Sequence, residues 1–341
     1  MTEVTARAPG RINLIGDHTD YTGGLCFPMA IDRGVEIRGA TTPGRDVVRL
    51  SSETEAGDAV VPLDVGDPAR VDPPWARYVA GVVAVLRPAQ GFTGTVRSTL
   101  PAGVGLSSSA ALEVAVALAL GAEVDDPARL ARLCQAAEHG ARGLPTGILD
   151  QLASICGVEG HGLVLDCHTV TVRAVPLPPP EEAEWVVLVP RGARTLETSG
   201  YGDRVRELAV AEAEIGPLRL ADLDAVERLA DPVIRRRARH VVTENARVRD
   251  FAEAIAAEDL AAAGAAMAAS HASLSADFES STPVIDLLVD RLGRTPGVLG
   301  ARITGGGWGG CAVALTRPGA LRDVADAWIV RPSAGASRRL G

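Results

Sequence analysis

A glycine- and serine-rich segment, P-A-G-V-G-L-S-S-S-A-A at residues 101–111, constrains the fold more than any other feature of the chain. Strand-like alternation over Thr93–Leu100 precedes it, and an alanine-rich stretch at helical spacing, Ser109–Leu120, follows it. Glycines let backbone N–H groups approach a ligand, and a helix N-terminus supplies unpaired donors and partial positive charge. One serine would be enough to cap the helix. Three consecutive serines therefore indicate a loop that binds phosphate.

A second glycine run, G-G-G-W-G-G at residues 305–310, fits the dinucleotide-binding pattern G-x-G-x-x-G. That mechanism requires a helix directly after the glycines. Here Cys311–Thr316 has the composition of a strand instead. We therefore expect a tight loop between two strands, close to a ligand or to a neighbouring piece of backbone.

The N-terminal segment 8–24 mixes charged, polar and apolar residues around Arg11, Asp17, His18 and Asp20. A solvated loop would not need the apolar residues that separate these charges. We expect side chains turned inward around a polar ligand, such as a polyol. Capping or salt-bridge roles explain the same residues equally well when they are considered alone.

Composition excludes several large classes of enzyme. The chain has no lysine, so all 34 of its basic residues are arginine. The lysine of a P-loop, the β3 lysine of a protein kinase and a Schiff-base lysine are therefore all absent. The five cysteines are scattered and the six histidines form no H-x-x-x-H pair. We expect reduced thiols and, for any metal, a hard cation on oxygen ligands.

The net charge of −9 is the opposite of the bias expected for a protein that contacts nucleic-acid phosphates. No apolar run is long enough to span a membrane, and the first residues lack the apolar region of a signal peptide. We therefore expect a cytoplasmic protein that binds neither nucleic acid nor membrane.

A proline cluster, P-L-P-P-P at residues 176–180, is the clearest break in the chain. It divides the sequence into a first domain at residues 1–175 and a second domain at residues 181–341. In the second domain, the mixed-charge stretch Asp231–Ala257 predicts a long helix with a solvated face.

Taken together and in this order, these segments resemble the galactokinase family of GHMP-type small-molecule kinases. The first segment, G-R-I-N-L-I-G-D-H-T-D-Y-T-G-G, is similar to the family's sugar box except that Asp17 replaces a glutamate. The serine-rich loop resembles the family's ATP loop. Three further motifs agree: T-G-G-G-W-G-G-C at 304–311, G-I-L-D-Q at 147–151 and S-H-A-S-L-S-A-D-F at 270–278.

The resemblance implies an α+β fold of two domains, with ATP and sugar in the cleft between them. The N-terminal domain would be an α/β domain like ribosomal protein S5 domain 2, and the C-terminal domain would be ferredoxin-like. The implied reaction transfers the γ-phosphoryl group of ATP, with Mg²⁺, to the anomeric hydroxyl of galactose. A small-molecule sugar is the expected partner, and a monomer or a weak homo-oligomer is the expected state.

The resemblance also implies roles for individual residues. Asp150 corresponds to the catalytic aspartate that faces the anomeric hydroxyl. Arg11 corresponds to the arginine that keeps this aspartate ionised and stabilises the transferring phosphoryl group. Glu138 and Ser109 would hold Mg²⁺. The positions that would contact the sugar are Asp17, His18, Asp20, Gly147 and Tyr201. The positions that would contact ATP are Gly103, Gly105, Leu106, Ser107, Ser108, Ser109, Trp75 and Tyr78.

Three departures from the family pattern affect these expectations. Asp17 is shorter than glutamate by one methylene, about 1.5 Å, which predicts a wider pocket near C6 of the sugar. Tyr201 follows T-S-G where the family has S-S-E, and Val284 stands where the family has an acidic residue. In addition, a serious alternative for Trp75 and Tyr78 is that they are two aromatic residues on the core face of a helix.

Two alternatives to galactose phosphorylation stay open at this point. One is a GHMP kinase for another substrate, which could be an N-acetylated or C6-altered sugar, mevalonate or homoserine. The other is a non-catalytic relative that binds sugar and ATP to control a partner. The intact serine loop, together with Arg11, Glu138 and Asp150, argues against the second alternative.

Overall fold

The computed structural model describes residues 1–101, 103–189 and 200–341. Its strands are β1 (Glu3–Ile15), β2 (Leu25–Thr42), β3 (Val47–Ser52), β4 (Ala59–Pro62), β5 (Gly91–Ser98), β6 (His161–Asp166), β7 (Thr171–Pro176), β8 (Glu184–Leu188), β9 (Val298–Thr304), β10 (Cys311–Thr316), β11 (Ala327–Val330) and β12 (Ser337–Leu340). Its helices are α1 (Ala76–Leu86), α2 (Ser108–Ala119), α3 (Pro127–Arg142), α4 (Leu149–Cys156), α5 (Tyr201–Ile215), α6 (Leu223–Glu227), α7 (Pro232–Ala256), α8 (Leu260–Ala276) and α9 (Pro283–Gly293). Among the described residues, the strand pairs are antiparallel except for β3 with β5, and helices pack on the sheets, as in an α+β fold.

The larger sheet forms the N-terminal part of the molecule. Its strands follow the order β12-β1-β2-β5-β3-β4, and β6 and β7 extend it from β2. Strands β3 and β5 pair in parallel, whereas β1 is antiparallel to both of its neighbours. The register between β1 and β2 shifts between Pro9 and Arg11 and again between Asn13 and Ile15. Such irregularities redirect the side chains that follow them, and this half of β1 carries Arg11.

Helix α2 is the central helix of this part of the structure. It packs against β1 and β2 of the sheet and against α1, α3 and α4. Its residues Ala110–Ala119 are all buried, because small alanine side chains let neighbouring backbones approach closely. The N-terminal end of α2, which follows the serine-rich loop, is thereby brought next to the end of β1.

The smaller sheet has the order β11-β8-β10-β9, and all of its pairs are antiparallel. Helix α8 packs closely on β9 because glycines face each other there. A Cβ on Gly264 would lie 2.0 Å from the Leu299 carbonyl oxygen, and one on Gly300 would lie 2.4 Å from the Gly264 carbonyl oxygen. Helix α7 packs on α8 and also contacts β1 and β2, so it joins the two sheets.

The structure confirms two predictions about local structure and corrects a third. Strand β5 and helix α2 flank the serine-rich loop, and the glycine run 305–310 connects the antiparallel strands β9 and β10. The long helix predicted at Asp231–Ala257 is present as α7, but its interpretation as a solvated surface is wrong for one face. His240, Glu244 and Asn245 on that face are buried, because they contact the N-terminal part of the chain.

The proline cluster at residues 176–180 connects β7 of the larger sheet with β8 of the smaller one. Strand β12 does not follow a division of the chain at the proline cluster, because it returns to the larger sheet and pairs with β1. This pairing covers a backbone edge that would otherwise be exposed. The domain bounds 1–175 and 181–341 stay a prediction, and residues 337–340 belong to the N-terminal sheet.

The five cysteines are free thiols. Within residues 1–101, 103–189 and 200–341, no helix combines the length and the apolar character that a membrane crossing needs. The same ranges contain no group of three or more histidine, cysteine, aspartate or glutamate side chains that could hold a metal ion.

Candidate active site

An ion pair between Arg11 and Asp150 lies at the centre of the site. Arg11 on β1 is buried, and Asp150 in the first turn of α4 is partly exposed. The Arg11 Nε donates to Asp150 Oδ1 at 2.8 Å, and Arg11 Nη1 donates to the Gly105 carbonyl oxygen at 2.6 Å. The Ser107 hydroxyl donates to Asp150 Oδ2. The structure therefore places Arg11 beside Asp150, as the resemblance implied, and adds a contact with Ser107 that was not predicted.

The serine-rich loop is fastened to β1 and to this ion pair. The Arg11 backbone N–H donates to the Leu106 carbonyl oxygen at 3.3 Å. Ser107 adopts a left-handed conformation with φ 58°, which a residue other than glycine keeps only when its surroundings hold it. Its bond to the aspartate supplies such a constraint. The next residues, Ser108 and Ser109, start α2, and their hydroxyls have no partner among the described residues, so they are available to an anion.

The glycine run 305–310 packs against the serine-rich loop. A Cβ on Gly305 would lie 3.0 Å from the Gly105 carbonyl oxygen, and one on Gly310 would lie 3.4 Å from the Val104 carbonyl oxygen. Gly103 and Gly105 both have positive φ. The run is therefore the predicted tight loop close to neighbouring backbone, and not a dinucleotide-binding site.

Asp20 and Gly147 bring the loop 16–24, called the sugar loop from here on, next to the helix of Asp150. A Cβ on Gly147 would lie only 1.5 Å from Asp20 Oδ2, so the carboxylate rests directly on the glycine backbone. Burial raises the pKa of Asp20 to about 7, and the nearby charges of Asp150 and Asp17 act in the same direction. Asp20 can therefore exist in either protonation state near neutral pH.

His18 lies among aromatic rings in the sugar loop. Its Nδ1 is 3.1 Å from the Tyr21 hydroxyl, and its Nε2 is buried without a partner in the described part of the chain. Burial, followed by the charges of His240 and Arg204, holds the pKa of His18 well below its ordinary value. The imidazole is therefore neutral. The rings within 6.0 Å of it belong to Tyr21, Tyr201, Phe278 and Trp308.

Tyr201 is the first residue of α5, and its ring centroid lies 5.4 Å from that of Tyr21. The structure thus brings Tyr201 to the sugar loop from the C-terminal half of the chain. Burial raises the pKa of Tyr201 well above its ordinary value, and the charge of Asp20 adds to the shift. Its hydroxyl therefore stays protonated and can donate a hydrogen bond. Thr198 and Ser199 of the T-S-G-Y motif lie outside the described residues.

Asp17 forms a buried ion pair that the sequence did not predict. Its Oδ2 pairs with Nη2 of Arg302 on β9, and its Oδ1 accepts from the Gly305 N–H at 3.2 Å. Burial raises the pKa of the Asp17 carboxyl, whereas the guanidinium opposes that shift. Arg302 is fully buried and also donates to the Asn13 carbonyl oxygen at 3.2 Å. The prediction of a wider pocket near C6 depended on an Asp17 carboxylate directed at the sugar. The ion pair with Arg302 does not support that orientation.

Glu138 lies on α3, the helix that packs against α2. Its Oε2 accepts from the Thr146 hydroxyl at 2.9 Å and from Gln151 Nε2 at 3.0 Å, and Arg142 lies 3.4 Å from Oε1. The carboxylate therefore supports the loop that carries Gly147. As an oxygen donor it also suits Mg²⁺, together with the Ser109 hydroxyl.

The two aromatic residues predicted near the nucleotide belong to the region of α1. Trp75 is buried in the core, and its Nε1 donates to the Gly57 carbonyl oxygen at 3.2 Å. Tyr78 packs at the edge of the same core. The indole N–H is thus already satisfied by backbone, which agrees with the alternative of aromatic residues on the core face of a helix. Contact with a nucleotide stays a prediction.

Three family models match the chain: the galactokinase galactose-binding signature over residues 2–41, the GHMP kinase N-terminal domain over 77–158 and the GHMP kinase C-terminal domain over 251–331. A galactokinase of Mycobacterium bovis is 40% identical over 338 residues, which cover 95% of this chain and 92% of that protein. The galactokinase of Homo sapiens is 38% identical over 346 residues, which cover 95% and 87%. The chain belongs to the galactokinase family.

Solved structures agree with this membership. The crystal structure of Lactococcus lactis galactokinase complexed with galactose aligns with a TM-score of 0.89 and 30% identity, covering 98% of this chain and 95% of that one. A mevalonate kinase aligns with a TM-score of 0.66 and 20% identity, covering 96% and 98%, and shares the fold alone. The two-domain α+β architecture is confirmed, and this galactokinase-family chain is a kinase enzyme that phosphorylates a sugar hydroxyl.

Sequence reasoning missed the residues of this galactokinase-family chain that hold the sugar loop from a distance. Besides Arg302, Glu244 Oε1 accepts from the Gly16 N–H at 2.9 Å, and Asn245 Oδ1 accepts from the Leu25 N–H at 2.7 Å. The available signal was a pair of adjacent polar residues on one face of a long helix. That signal does not reveal a partner more than 200 positions away.

Proposed function

We propose that this chain transfers the γ-phosphoryl group of ATP to the anomeric hydroxyl of α-D-galactose, giving galactose 1-phosphate and ADP. One observation carries the proposal: Asp150 connects the two halves of the candidate site. Its carboxylate contacts the serine-rich loop through Ser107, and the loop directly before its helix meets the sugar loop through Gly147 and Asp20. A group fixed in this way lies where a sugar hydroxyl and a phosphate can meet.

The reaction would proceed by direct in-line transfer without an enzyme nucleophile, since positioning and electrostatics supply most of the catalysis in phosphoryl transfer. Asp150 would orient the anomeric hydroxyl and accept its proton. The Arg11 guanidinium would stabilise negative charge on the transferring group. The N-terminus of α2, with Ser108 and Ser109, would hold phosphate oxygens through backbone N–H groups and hydroxyls. Mg²⁺ held by Glu138 and Ser109 would neutralise phosphate charge.

The sugar loop would bind the hydroxyls of the hexose. His18 offers a buried Nε2 that has no partner within the described residues, and Asp20 offers a carboxyl whose pKa lies near neutrality. The protonated Tyr201 hydroxyl offers a further donor. Such a set of polar groups among aromatic rings is typical of a pocket for a small polyol. The galactose-binding signature matched over residues 2–41 supports galactose as the occupant.

The test is ADP release by the purified protein with a panel of hexoses, N-acetylated and C6-altered sugars, mevalonate and homoserine, followed by identification of the product. Galactose should give the highest kcat/KM. A faster reaction with another compound would assign the chain to that substrate. Binding of sugar and ATP without any ADP release would instead identify a sensor.

The Asp150→Asn variant tests the mechanism. Asparagine keeps the shape of the side chain but removes the charge that accepts the proton, so kcat should fall by at least about 10²–10⁴-fold. Calorimetry should show galactose binding close to that of the unaltered protein. Asp224→Asn, which changes an exposed carboxylate in the first turn of α6, is the matched control. A kcat near that of the control would disprove the role of Asp150.

A further inference from the structure

His240 is a fully buried residue of α7 that contacts the sugar loop. Its Nε2 lies 3.1 Å from the Asp17 carbonyl oxygen, and its Nδ1 lies 3.0 Å from the Ser273 hydroxyl on α8. A carbonyl oxygen can only accept, so Nε2 must carry the proton. Burial lowers the pKa of His240 to about 4, and the ring is therefore neutral near pH 7. The Asp17 carbonyl thus assigns the Nε2–H tautomer, and Nδ1 faces the oxygen of the Ser273 hydroxyl, which itself donates to Asp277 Oδ2 at 3.1 Å.

The peptide group that His240 holds is the one that joins Asp17 to His18. His18 has φ 65°, a left-handed conformation that disfavours residues with a Cβ. Such a conformation persists only where the surroundings impose it. The hydrogen bond from His240 fixes the plane of the peptide directly before this residue. Without that bond, the peptide could rotate and release the strain.

Both histidine rings also pack against the ring of Phe278. The ring centroid of Phe278 is 4.5 Å from that of His18 and 4.7 Å from that of His240. Phe278 is itself fully buried. His240 therefore constrains His18 in two ways: through the backbone before it, and through the ring that packs against it.

We propose that His240 is a positioning residue for sugar binding, whose Nε2–H holds the Asp17–His18 peptide so that the His18 imidazole is presented to the sugar. His240 itself would not touch the substrate. The proposal rests on the proposed function, since it takes the sugar loop as the site of galactose binding. The structure assigns this role to one nitrogen of the ring, which makes it testable by substitution.

Substitution by glutamine or by asparagine distinguishes the roles of the two nitrogens of the His240 ring. In His240→Gln, the terminal amide reaches the position of Nε2 and can still donate to the Asp17 carbonyl. In His240→Asn, the shorter amide reaches only the position of Nδ1. We expect His240→Asn to raise KM for galactose about tenfold, the effect of one lost buried hydrogen bond. His240→Gln should stay within about threefold of the unaltered protein. KM for ATP and kcat should change by less than about twofold in both.

Val241→Ala controls for lost stability, because Val241 is the next residue of α7, is fully buried and belongs to the core of the smaller sheet. It should lower Tm without raising KM for galactose. Equal KM values for His240→Asn and His240→Gln would overturn the proposal, and so would a parallel rise in KM for ATP. A rise in KM that follows Tm across the three variants would also overturn it, because it would indicate a structural role alone.

A measurement on the unaltered protein remains decisive if the variants do not fold. In ¹⁵N NMR spectra at pH 7, His240 should appear as the neutral Nε2–H tautomer. The Nδ1–H tautomer or an imidazolium would contradict the proposed hydrogen bond. If the unaltered protein does not phosphorylate galactose, the proposed function fails separately. The positioning role is then judged by the Kd of the variants for whichever sugar of the panel the protein binds.

Discussion

Replacing Gly147 with alanine would test the placement of the sugar loop against the helix of Asp150. A Cβ on Gly147 would lie 1.5 Å from Asp20 Oδ2 and 2.1 Å from Asp20 Cγ. Real Cβ atoms essentially never approach another atom closer than 3.0 Å, so the carboxylate must retreat by about 1.5 Å. Gly147 does not have a positive φ. The substitution therefore displaces Asp20 without adding backbone strain.

A retreat of this size removes any direct hydrogen bond between Asp20 and a sugar hydroxyl, because a separation of about 2.8 Å would open beyond hydrogen-bond range. Hydrogen bonds to charged groups contribute about 1.5–3 kcal/mol. We therefore expect Gly147→Ala to lower kcat/KM for galactose by about ten- to a hundredfold, while KM for ATP stays nearly constant. Steady-state kinetics with each substrate varied in turn would measure both effects.

A double-mutant cycle shows whether Asp20 transmits the effect. In Asp20→Ala the side chain that meets the new Cβ is absent, so adding Gly147→Ala should change kcat/KM by less than about twofold. Gly140→Ala is the control, since its Cβ would meet only Pro68 Cγ at 3.7 Å. Unchanged kcat/KM in Gly147→Ala would refute the reasoning. Additive losses in the double variant would show that Asp20 is not the residue displaced.

Four further substitutions test other parts of the site. Glu138→Gln and Ser109→Ala should each raise the Mg²⁺ concentration needed for half-maximal activity several-fold, whereas an unchanged Mg²⁺ titration would leave Glu138 only its support of the loop before α4. The pKa of Asp20 in the folded state, about 7, lies above the ordinary value of 3.8. The unfolding free energy of the ligand-free protein should therefore fall as pH rises from about 4 through 7. Urea titrations of Asp20→Asn should show a smaller fall, and parallel pH profiles of the two proteins would contradict this. Arg302→Gln leaves the buried Asp17 carboxylate unpaired, so calorimetric unfolding should show a loss of about 3–5 kcal/mol, and a loss below about 1 kcal/mol would show that the pair contributes little.

The parts of the site that sequence reasoning predicted are those in which a short motif determines its own backbone. The serine-rich loop needs glycines before a helix, and the run 305–310 needs glycines because two loops approach each other. Both requirements are local, so both are visible in the sequence. The neighbouring positions of Arg11 and Asp150, 139 residues apart, followed only from the family resemblance. No spacing or periodicity in the chain indicates that contact.

The residues that escaped prediction act on partners that are distant in the chain. Arg302 is 285 positions from Asp17, and Glu244 is 228 positions from Gly16. In a sequence, a buried arginine on a strand and a buried glutamate on a helix look like ordinary surface charges. Once these residues are known to be buried, each must have a partner, because an unpaired charge in the interior is too costly to persist. The charge pattern of α7 alone indicates a solvated surface, whereas in the structure one face of this helix holds the sugar loop.

The sugar loop contains the groups proposed to bind galactose, and several of the contacts that hold it come from distant parts of the chain. Its backbone bonds to Glu244 at Gly16 and to His240 at Asp17, and the Asp17 side chain pairs with Arg302. All three partners belong to the C-terminal half of the chain, whereas the serine-rich loop is fastened to β1 within the N-terminal half. The glycine run 305–310 does pack against the serine-rich loop, but the hydrogen bonds and the ion pair named here link the C-terminal half to the sugar loop. We therefore infer that the proposed sugar side of the site depends more on the packing of the two halves than the proposed phosphate side does. A substitution that loosens this packing should therefore weaken sugar binding before it weakens nucleotide binding.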